Sequence, residues 1–206
     1  MTKVIEEADI NILVNAINQG EIVSFPTETV YGVACRFNDR EALDRLMEAK
    51  NRDYSKAVTL MVSKKEDIDK YAYTSPNIMR VVDDFTPGRL TIILKKRESV
   101  DPAMTNGRET IGIRIPDSEF VLRLIDQTGP LLVTSANISG KENTTNEREV
   151  LKQLDGRISY VVKGQTDSSV ASTVVDLTGD EPKVLREGIL TQEEIRRSFY
   201  ENRNRM

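Results

Sequence analysis

No histidine occurs anywhere in the 206-residue sequence, aromatics are scarce, and there is a single cysteine. Without imidazole, a Ser-His-Asp triad, a Cys-His pair, HExxH zinc chemistry and a histidine proton shuttle are excluded. Cys35 alone excludes an internal disulfide and any cysteine-cluster zinc site, and one unpaired thiol fits a reducing cytoplasm. No run approaches the roughly 18 apolar residues of a membrane helix. The opening MTKVIEEADINILVNAI carries acids inside its apolar pattern, which sets it apart from a signal peptide. The net charge of −4 gives no global attraction to nucleic acid, so nucleotide or RNA binding requires a local basic patch. An enzyme with this inventory works through positioning, Lys, Arg, carboxylates, hydroxyls or a borrowed metal ion.

What is present is the composition of an ordinary globule, 38% hydrophobic and 30% charged, long enough to bury a core without staples. Ile10, Leu13, Val14 and Ile17 form one apolar stripe that predicts a helix over 8–19, stopped at Gly20. Further helices are expected over 39–49 with Asp39 as N-cap, near 77–85, 118–127 and 146–154. A last helix is expected after the TQEE capping box of Thr191 and Glu194, ending in Arg-rich sequence. Strands are expected at 22–25, 58–62, 90–94, 110–116, 131–134, 158–162, 172–177 and 183–187. Strands and helices alternate, with too many short strands for a plain doubly wound sheet. The expectation is a mixed, twisted α/β sheet with flanking helices and no domain boundary over 1–206.

Several stretches carry chemistry. FPTETVYG (25–32) leaves a strand through Pro26, which cannot serve a central ladder, and presents Thr27, Glu28 and Thr29 at the sheet's edge, where α/β sheets bind ligands. Lys50 and Arg52, read as i and i+2 of an extended segment, either share one anion or complement a helix dipole. LLVTSANISG (131–140) brings Ser135 and Asn137 to the end of a strand, either to close a turn or to bond a ligand. Arg114 lies in an apolar strand, on a solvated face or aimed into a cleft. Arg186 is a similar case, at a strand end followed by Gly188, and Ser172 reads as a β-former. GRETIGIR (107–114) is a near miss to a phosphate-binding P-loop, lacking the Lys-Ser/Thr that follows.

Taken together and in order, FPTETVYG, Lys50-x-Arg52, PGRLT, IGIRIP, TSANISG, STVVDL and LREG resemble the YrdC-like family, the L-threonylcarbamoyladenylate synthases, over about residues 8–190. The resemblance implies a YrdC-like fold around a large, positively charged concave cavity. It implies synthesis of threonylcarbamoyl-adenylate from L-threonine, bicarbonate and ATP, with release of pyrophosphate, for t6A37 modification of tRNA. A tRNA-modifying transferase would be the partner and Mg²⁺ would accompany ATP. Carried over by motif, Thr27, Arg114 and Ser172 would hold L-threonine. Lys50 and Arg52 would be catalytic and, with Thr110, Ser135, Asn137 and Arg186, would bind the nucleotide; no protein-held metal is expected. The form implied is the short one, without the C-terminal domain of longer members.

The chain departs from the pattern in two places. KAVTLMV after Lys50-x-Arg52 lacks a usual proline and puts Met61 or a neighbour where a histidine is often found, and PGRLT has Arg89 where proline is usual. Both lean towards the YciO-like sister branch, whereas the intact Ser-x-Asn element favours the synthase. The alternatives are therefore a YciO-like paralogue with other nucleotide chemistry, or a factor gripping double-stranded RNA or tRNA. KENTTNER (141–148) is a candidate lid or a plain surface connection.

Overall fold

In the computed structural model, which describes residues 1–166 and 168–201, ten strands form one sheet. They are β1 (Lys3–Ile5), β2 (Val23–Phe25), β3 (Gly32–Arg36), β4 (Thr59–Met61), β5 (Leu90–Lys95), β6 (Thr110–Arg114), β7 (Leu131–Ser135), β8 (Tyr160–Val162), β9 (Thr173–Asp176) and β10 (Lys183–Arg186). The spatial order is β1-β8-β2-β3-β7-β4-β6-β5-β9-β10. Four neighbouring pairs are parallel (β1–β8, β2–β8, β4–β6, β5–β9) and the others antiparallel, so the expected mixed α/β sheet is present.

The helices are α1 (Ile10–Asn18), α2 (Arg40–Ala49), α3 (Ile68–Tyr71), α4 (Pro76–Phe85), α5 (Glu119–Thr128), α6 (Glu147–Leu154) and α7 (Gln192–Tyr200). Their starts follow from capping side chains: Asp39 accepts from Ala42 N, Ser75 from Ile78 N, Ser118 from Val121 N and Asn146 from Glu149 N. Thr191 and Glu194 make the expected capping box. The Arg-rich end expected beyond α7 falls at 202–206, outside the described residues. Gly20, at φ 75°, closes α1 in the left-handed region that glycine adopts without penalty.

Strand alternation explains the architecture. Leu60, Ile92, Ile113 and Val175 point to one face, where they share a core with Leu43 and Leu46 of α2, Val81 and Val82 of α4, and Ile195 and Phe199 of α7. Each such side chain, fully withdrawn from water, contributes about 1.5–3 kcal/mol. The other face is covered only in part: Leu13 and Ile17 of α1 and Val121 and Leu124 of α5 pack on Val23, Phe25 and Ala34. Beyond that cover, the second face carries Thr59 and Met61 of β4, Gly112 and Arg114 of β6, Thr91 and Ile93 of β5, and Val174 and Asp176 of β9. Small and polar side chains there leave the sheet uncovered, and the surface they line is a hollow.

Several elements were not expected, among them a 3-10 turn at Pro102–Thr105. β1 is a three-residue strand whose parallel pairing with β8 holds it. β3, GVACR, pairs on both sides with β2 and β7, so FPTETVY is a loop between two adjacent strands. A 3-10 turn (Lys65–Asp67) running into α3 occupies what reads in sequence as a charged connection.

Candidate functional site

The hollow has a volume of about 450 Å³ and spans β3, β7, β4, β6, β5, β9 and β10. Its wall at one end is the loop 27–31. Within that loop the hydroxyls form a directed chain. Thr27 Oγ1 donates to Val30 O (2.7 Å), so the 2.9 Å contact between the two threonines has Thr29 Oγ1 as donor to Thr27 Oγ1. Thr29 Oγ1 in turn accepts from Arg114 Nη2 (3.0 Å), and Thr27 Oγ1 accepts from Thr29 N (3.1 Å). Thr27 therefore lines the hollow with its hydroxyl fully engaged inside the loop, and what it offers a ligand is shape. Tyr31 braces the same loop, donating from its hydroxyl to Val162 O (2.9 Å) and from its backbone N to Thr144 O (2.9 Å). Burial, then the negative charge of Glu147, raises its pKa.

Arg114 leaves the hollow face of β6 almost fully buried. Its Nη2 pairs with Glu28 Oε1 at 2.6 Å and its Nε donates to Gly88 O at 3.2 Å. Glu28 Oε2, also out of water, has no hydrogen-bond partner among the described residues. The guanidinium expected to receive a substrate carboxylate thus already carries one of the chain's own.

At the opposite end Arg186, exposed overall, draws its guanidinium in against Ser172. Nε and Nη2 donate to Ser172 O (3.0 and 2.8 Å), and Nη2 also to Ser172 Oγ (3.1 Å), which shares a further hydrogen bond of 2.9 Å with Thr91 Oγ1. Gly188 makes this corner possible, since a Cβ there would sit 2.6 Å from Thr173 N and 2.7 Å from Ala171 O.

Arg52 and Arg108 stand at the upper rim. Arg52 Nη2 donates to Ala57 O (2.7 Å), and its buried Nε has no partner among the described residues. Arg108 donates to Ser55 O, so both cations are tied to the strap 53–57 that crosses above them. Burial, then the charges of Arg108 and Arg186, lowers the pKa of Arg52; partial burial, then Arg114, lowers that of Arg186. Mutual repulsion of this kind is relieved by an anion, and Arg is the side chain suited to hold a phosphate or carboxylate by a matched fork.

Lys50 behaves otherwise. The expected extended segment is not there: Lys50 is the right-handed C-cap of α2, Asn51 turns left-handed at φ 50°, and Arg52 N closes onto Met47 O (2.9 Å). The two side chains therefore part. Arg52 enters the hollow, whereas Lys50, 1% exposed, runs beneath its wall to donate to Ser135 O and to Asn137 O (2.7 Å). Lys50 O also accepts from Ser139 N (2.9 Å), so one residue ties down the whole Ser-x-Asn turn. Asn137 lies behind the wall as well, with Nδ2 donating to Ile138 O and Lys141 O (3.0 and 2.8 Å). Burial, then the charges of Arg52 and Lys56, pushes the Lys50 ammonium down to about 7.

Of the residues singled out in the sequence, Thr27, Arg52, Thr110, Arg114, Ser135, Ser172 and Arg186 line one hollow; Lys50 and Asn137 support it from behind. Arg108 and Asp176 escaped notice. Arg108 follows Asn106 and Gly107, both left-handed, a turn signal that could have marked it, and Asp176 follows from strand alternation with Val174. KENTTNER is pinned rather than free, since Thr144 is fully buried and donates to Ala136 O (2.9 Å).

Comparison with known proteins agrees with this geometry. The family model Sua5/YciO/YrdC, described as "Telomere recombination", matches residues 15–188. The chain is 37% identical over 202 residues to the threonylcarbamoyl-AMP synthase of Pyrococcus abyssi and 36% identical over 183 residues to that of Bacillus subtilis. These matches cover 97% and 87% of this chain but 59% and 53% of the relatives, so it spans little more than half their length. Among solved structures, P. abyssi Sua5 complexed with L-threonine superposes with a TM-score of 0.89 at 36% identity, over 96% of this chain and 60% of that one. Escherichia coli YciO superposes with a TM-score of 0.86 at 26% identity, over 95% of this chain and 100% of that one. The chain belongs to the Sua5/YciO/YrdC family.

Proposed function

We propose that the chain synthesises threonylcarbamoyl-adenylate from L-threonine, bicarbonate and ATP, releasing pyrophosphate, in the cytoplasm. The product would pass to a tRNA-modifying transferase for t6A37. The observation that carries the reading is the convergence of Arg52, Arg108, Arg114 and Arg186 on one hollow of about 450 Å³, in the size range of small-ligand pockets and too confined for a nucleic-acid duplex. The names of the P. abyssi and B. subtilis relatives and the L-threonine complex of P. abyssi Sua5 support the substrate.

The chemistry asks for no histidine. The amine of threonine takes up CO₂ from bicarbonate and gives its proton to solvent; an oxygen of the resulting carbamate then displaces pyrophosphate at the α-phosphorus. Arg52 and Arg108 would take the charge gathering on the leaving pyrophosphate, and Arg186 that on the α-phosphate. Arg114 would hold the amino-acid carboxylate, with the loop 27–31 as the wall behind it. Lys50 and Asn137 would act through the turn that sets Ser135. The donor set does not suit a resident metal: among the described residues no group of three or more Cys, Asp or Glu could hold one, and Asp176 is the one carboxylate lining the hollow. Magnesium would enter with the triphosphate, as part of the substrate.

Purified protein incubated with MgATP, bicarbonate and each amino acid in turn tests the reading. Pyrophosphate release that requires threonine and bicarbonate is expected; release indifferent to both defeats the reading. The Glu28–Arg114 pair favours a second reading, a nucleotide-binding paralogue that takes no amino acid, because a resident carboxylate already occupies the guanidinium. That protein would bind ATP, and threonine would leave the affinity unchanged.

A further inference from the structure

We infer that Asp176 is the nucleoside-reading residue of the hollow, accepting hydrogen bonds from the ribose hydroxyls of the bound nucleotide; the inference rests on the ATP site proposed above. Among the described residues, Asp176 is the only carboxylate lining a hollow that holds four guanidiniums. Its Oδ1 accepts from Thr178 N (2.9 Å) and Thr178 Oγ1 (2.7 Å), which closes the turn after β9 and fixes the side chain. Oδ2 takes no hydrogen bond, and no ion pair involves the residue among those described, although Lys183 stands opposite it on β10. A turn needs only the first oxygen. The second is an acceptor held in place at the edge of a ligand cavity.

Position argues for a sugar. The Arg186 guanidinium is held at Ser172, four residues before Asp176 on the chain that forms β9, about 13 Å away. If Arg186 meets a phosphate there, the sugar attached to that phosphate lies between the guanidinium and Asp176, within reach of the carboxylate. Around Asp176 the surface turns apolar. Ile93 pairs with it directly and Gly112 lies next in the same row, while Leu185, 52% exposed, lines the hollow from the β10 bulge beside Val174. Ile93 beside a bare glycine floor suits the flat face of a base, and a carboxylate acceptor next to them suits a neutral diol that donates two protons. The same carboxylate would repel a phosphate, which sets the polarity of the bound nucleotide: triphosphate towards Arg52 and Arg108, nucleoside over Ile93 and Gly112.

Asp176→Asn keeps the carbonyl acceptor for Thr178 and turns the free oxygen into a donor. Wild type and variant are titrated calorimetrically with ATP, 2′-deoxyATP, 3′-deoxyATP and tripolyphosphate. Wild type should prefer ATP to the deoxynucleotides by about tenfold or more, the scale of a charge-assisted hydrogen bond. The variant should bind all three nucleotides alike and tripolyphosphate as wild type does. Thr178→Val, which loosens the turn but leaves Oδ2, should keep the preference; if it abolishes the preference as the Asn variant does, Asp176 is a turn residue only and the inference fails. Equal ribose discrimination in wild type and Asp176→Asn, in a protein that still binds and consumes ATP, overturns the inference alone. A wild type that binds tripolyphosphate but no nucleotide overturns the parent reading with it.

Discussion

Glu28 and Arg114 form an ion pair at 2.6 Å with side chains 13% and 7% exposed, at the junction of the FPTETVYG loop and the floor of the hollow. Removing one partner of a buried pair leaves the other's charge uncompensated, at a cost of about 3–5 kcal/mol. Arg114→Ala should lose that much in urea unfolding at pH 7, and a loss below about 1 kcal/mol would mean that water already reaches the pair. Glu28→Gln retains a hydrogen-bond acceptor and frees the guanidinium from its resident carboxylate. If threonine's carboxylate shares that site, the variant should bind threonine more tightly, and an unchanged threonine dependence would remove Arg114 from the amino-acid pocket.

The buried lysine beneath the Ser-x-Asn turn gives a pH signature. With its folded pKa near 7 against 10.5 in its ordinary state, Lys50 releases its proton in the native protein while the unfolded chain still holds one. The unfolded state binds more protons in that interval, so stability rises as pH climbs above 7, by at most about 1.4 kcal/mol per pH unit. The carbonyls of Ser135 and Asn137 favour the ammonium and soften the slope. Burial raises the Cys35 thiol, so above its ordinary value of 9.0 the unfolded chain loses protons the native state keeps, and the slope is opposed. Denaturation midpoints between pH 7 and 9 should rise for wild type and stay flatter for Lys50→Met. Parallel curves would mean that Lys50 keeps its proton throughout.

How far the sequence discloses this site depends on which residue is asked about. The strands of the hollow are legible because β-branched runs alternate cleanly: Leu90, Ile92 and Leu94 face the core while Thr91 and Ile93 face away. β3 is not, since GVACR follows the FPTETVY loop directly and the glycine that begins it reads as punctuation; its pairing on both sides supplies the stability. The separation of Lys50 from Arg52 is invisible for a local reason. One asparagine in the left-handed region reverses the chain between them, and any i,i+2 argument presumes extended backbone. Thr27 illustrates the other limit, because its place on the wall is readable but the engagement of its hydroxyl by Thr29 and Val30 is a matter of three-dimensional geometry.

Arg108, marked in sequence only by the Asn106-Gly107 turn before it, should matter to the phosphate end alone. Its guanidinium repels Arg52 across the rim, and removing it withdraws charge from bound polyphosphate without touching the Arg114 end. Arg108→Ala should weaken tripolyphosphate by about tenfold or more, the scale of charge-assisted hydrogen bonds, with little change for AMP. Arg52→Ala should lower pyrophosphate release by about 10²–10³-fold, as loss of one stabiliser of developing charge does. Equal losses for AMP and tripolyphosphate in Arg108→Ala would point to collapse of the strap at Ser55 instead.

Gly112 separates stability from binding in a single substitution. It sits mid-strand on the hollow's floor, paired with Thr59 on one side and Ile93 on the other, where glycine is entropically costly. A Cβ built there would meet Thr91 Cγ2 at 3.6 Å and Thr59 Oγ1 at 3.8 Å, ordinary contacts that packing accommodates, and the backbone is not left-handed. Gly112→Ala should therefore stabilise the fold by about 0.4–1 kcal/mol through the unfolded state. The same methyl group occupies floor that a ligand would lie on, so ATP affinity should fall as stability rises, and Gly112→Val should deepen the loss. Thermal shift with and without ATP reads both effects in one experiment: a higher melting temperature for the free variant and a smaller ligand-induced increment. A variant that is stabilised and binds ATP as wild type does would move the nucleotide off the β4–β6–β5 floor altogether.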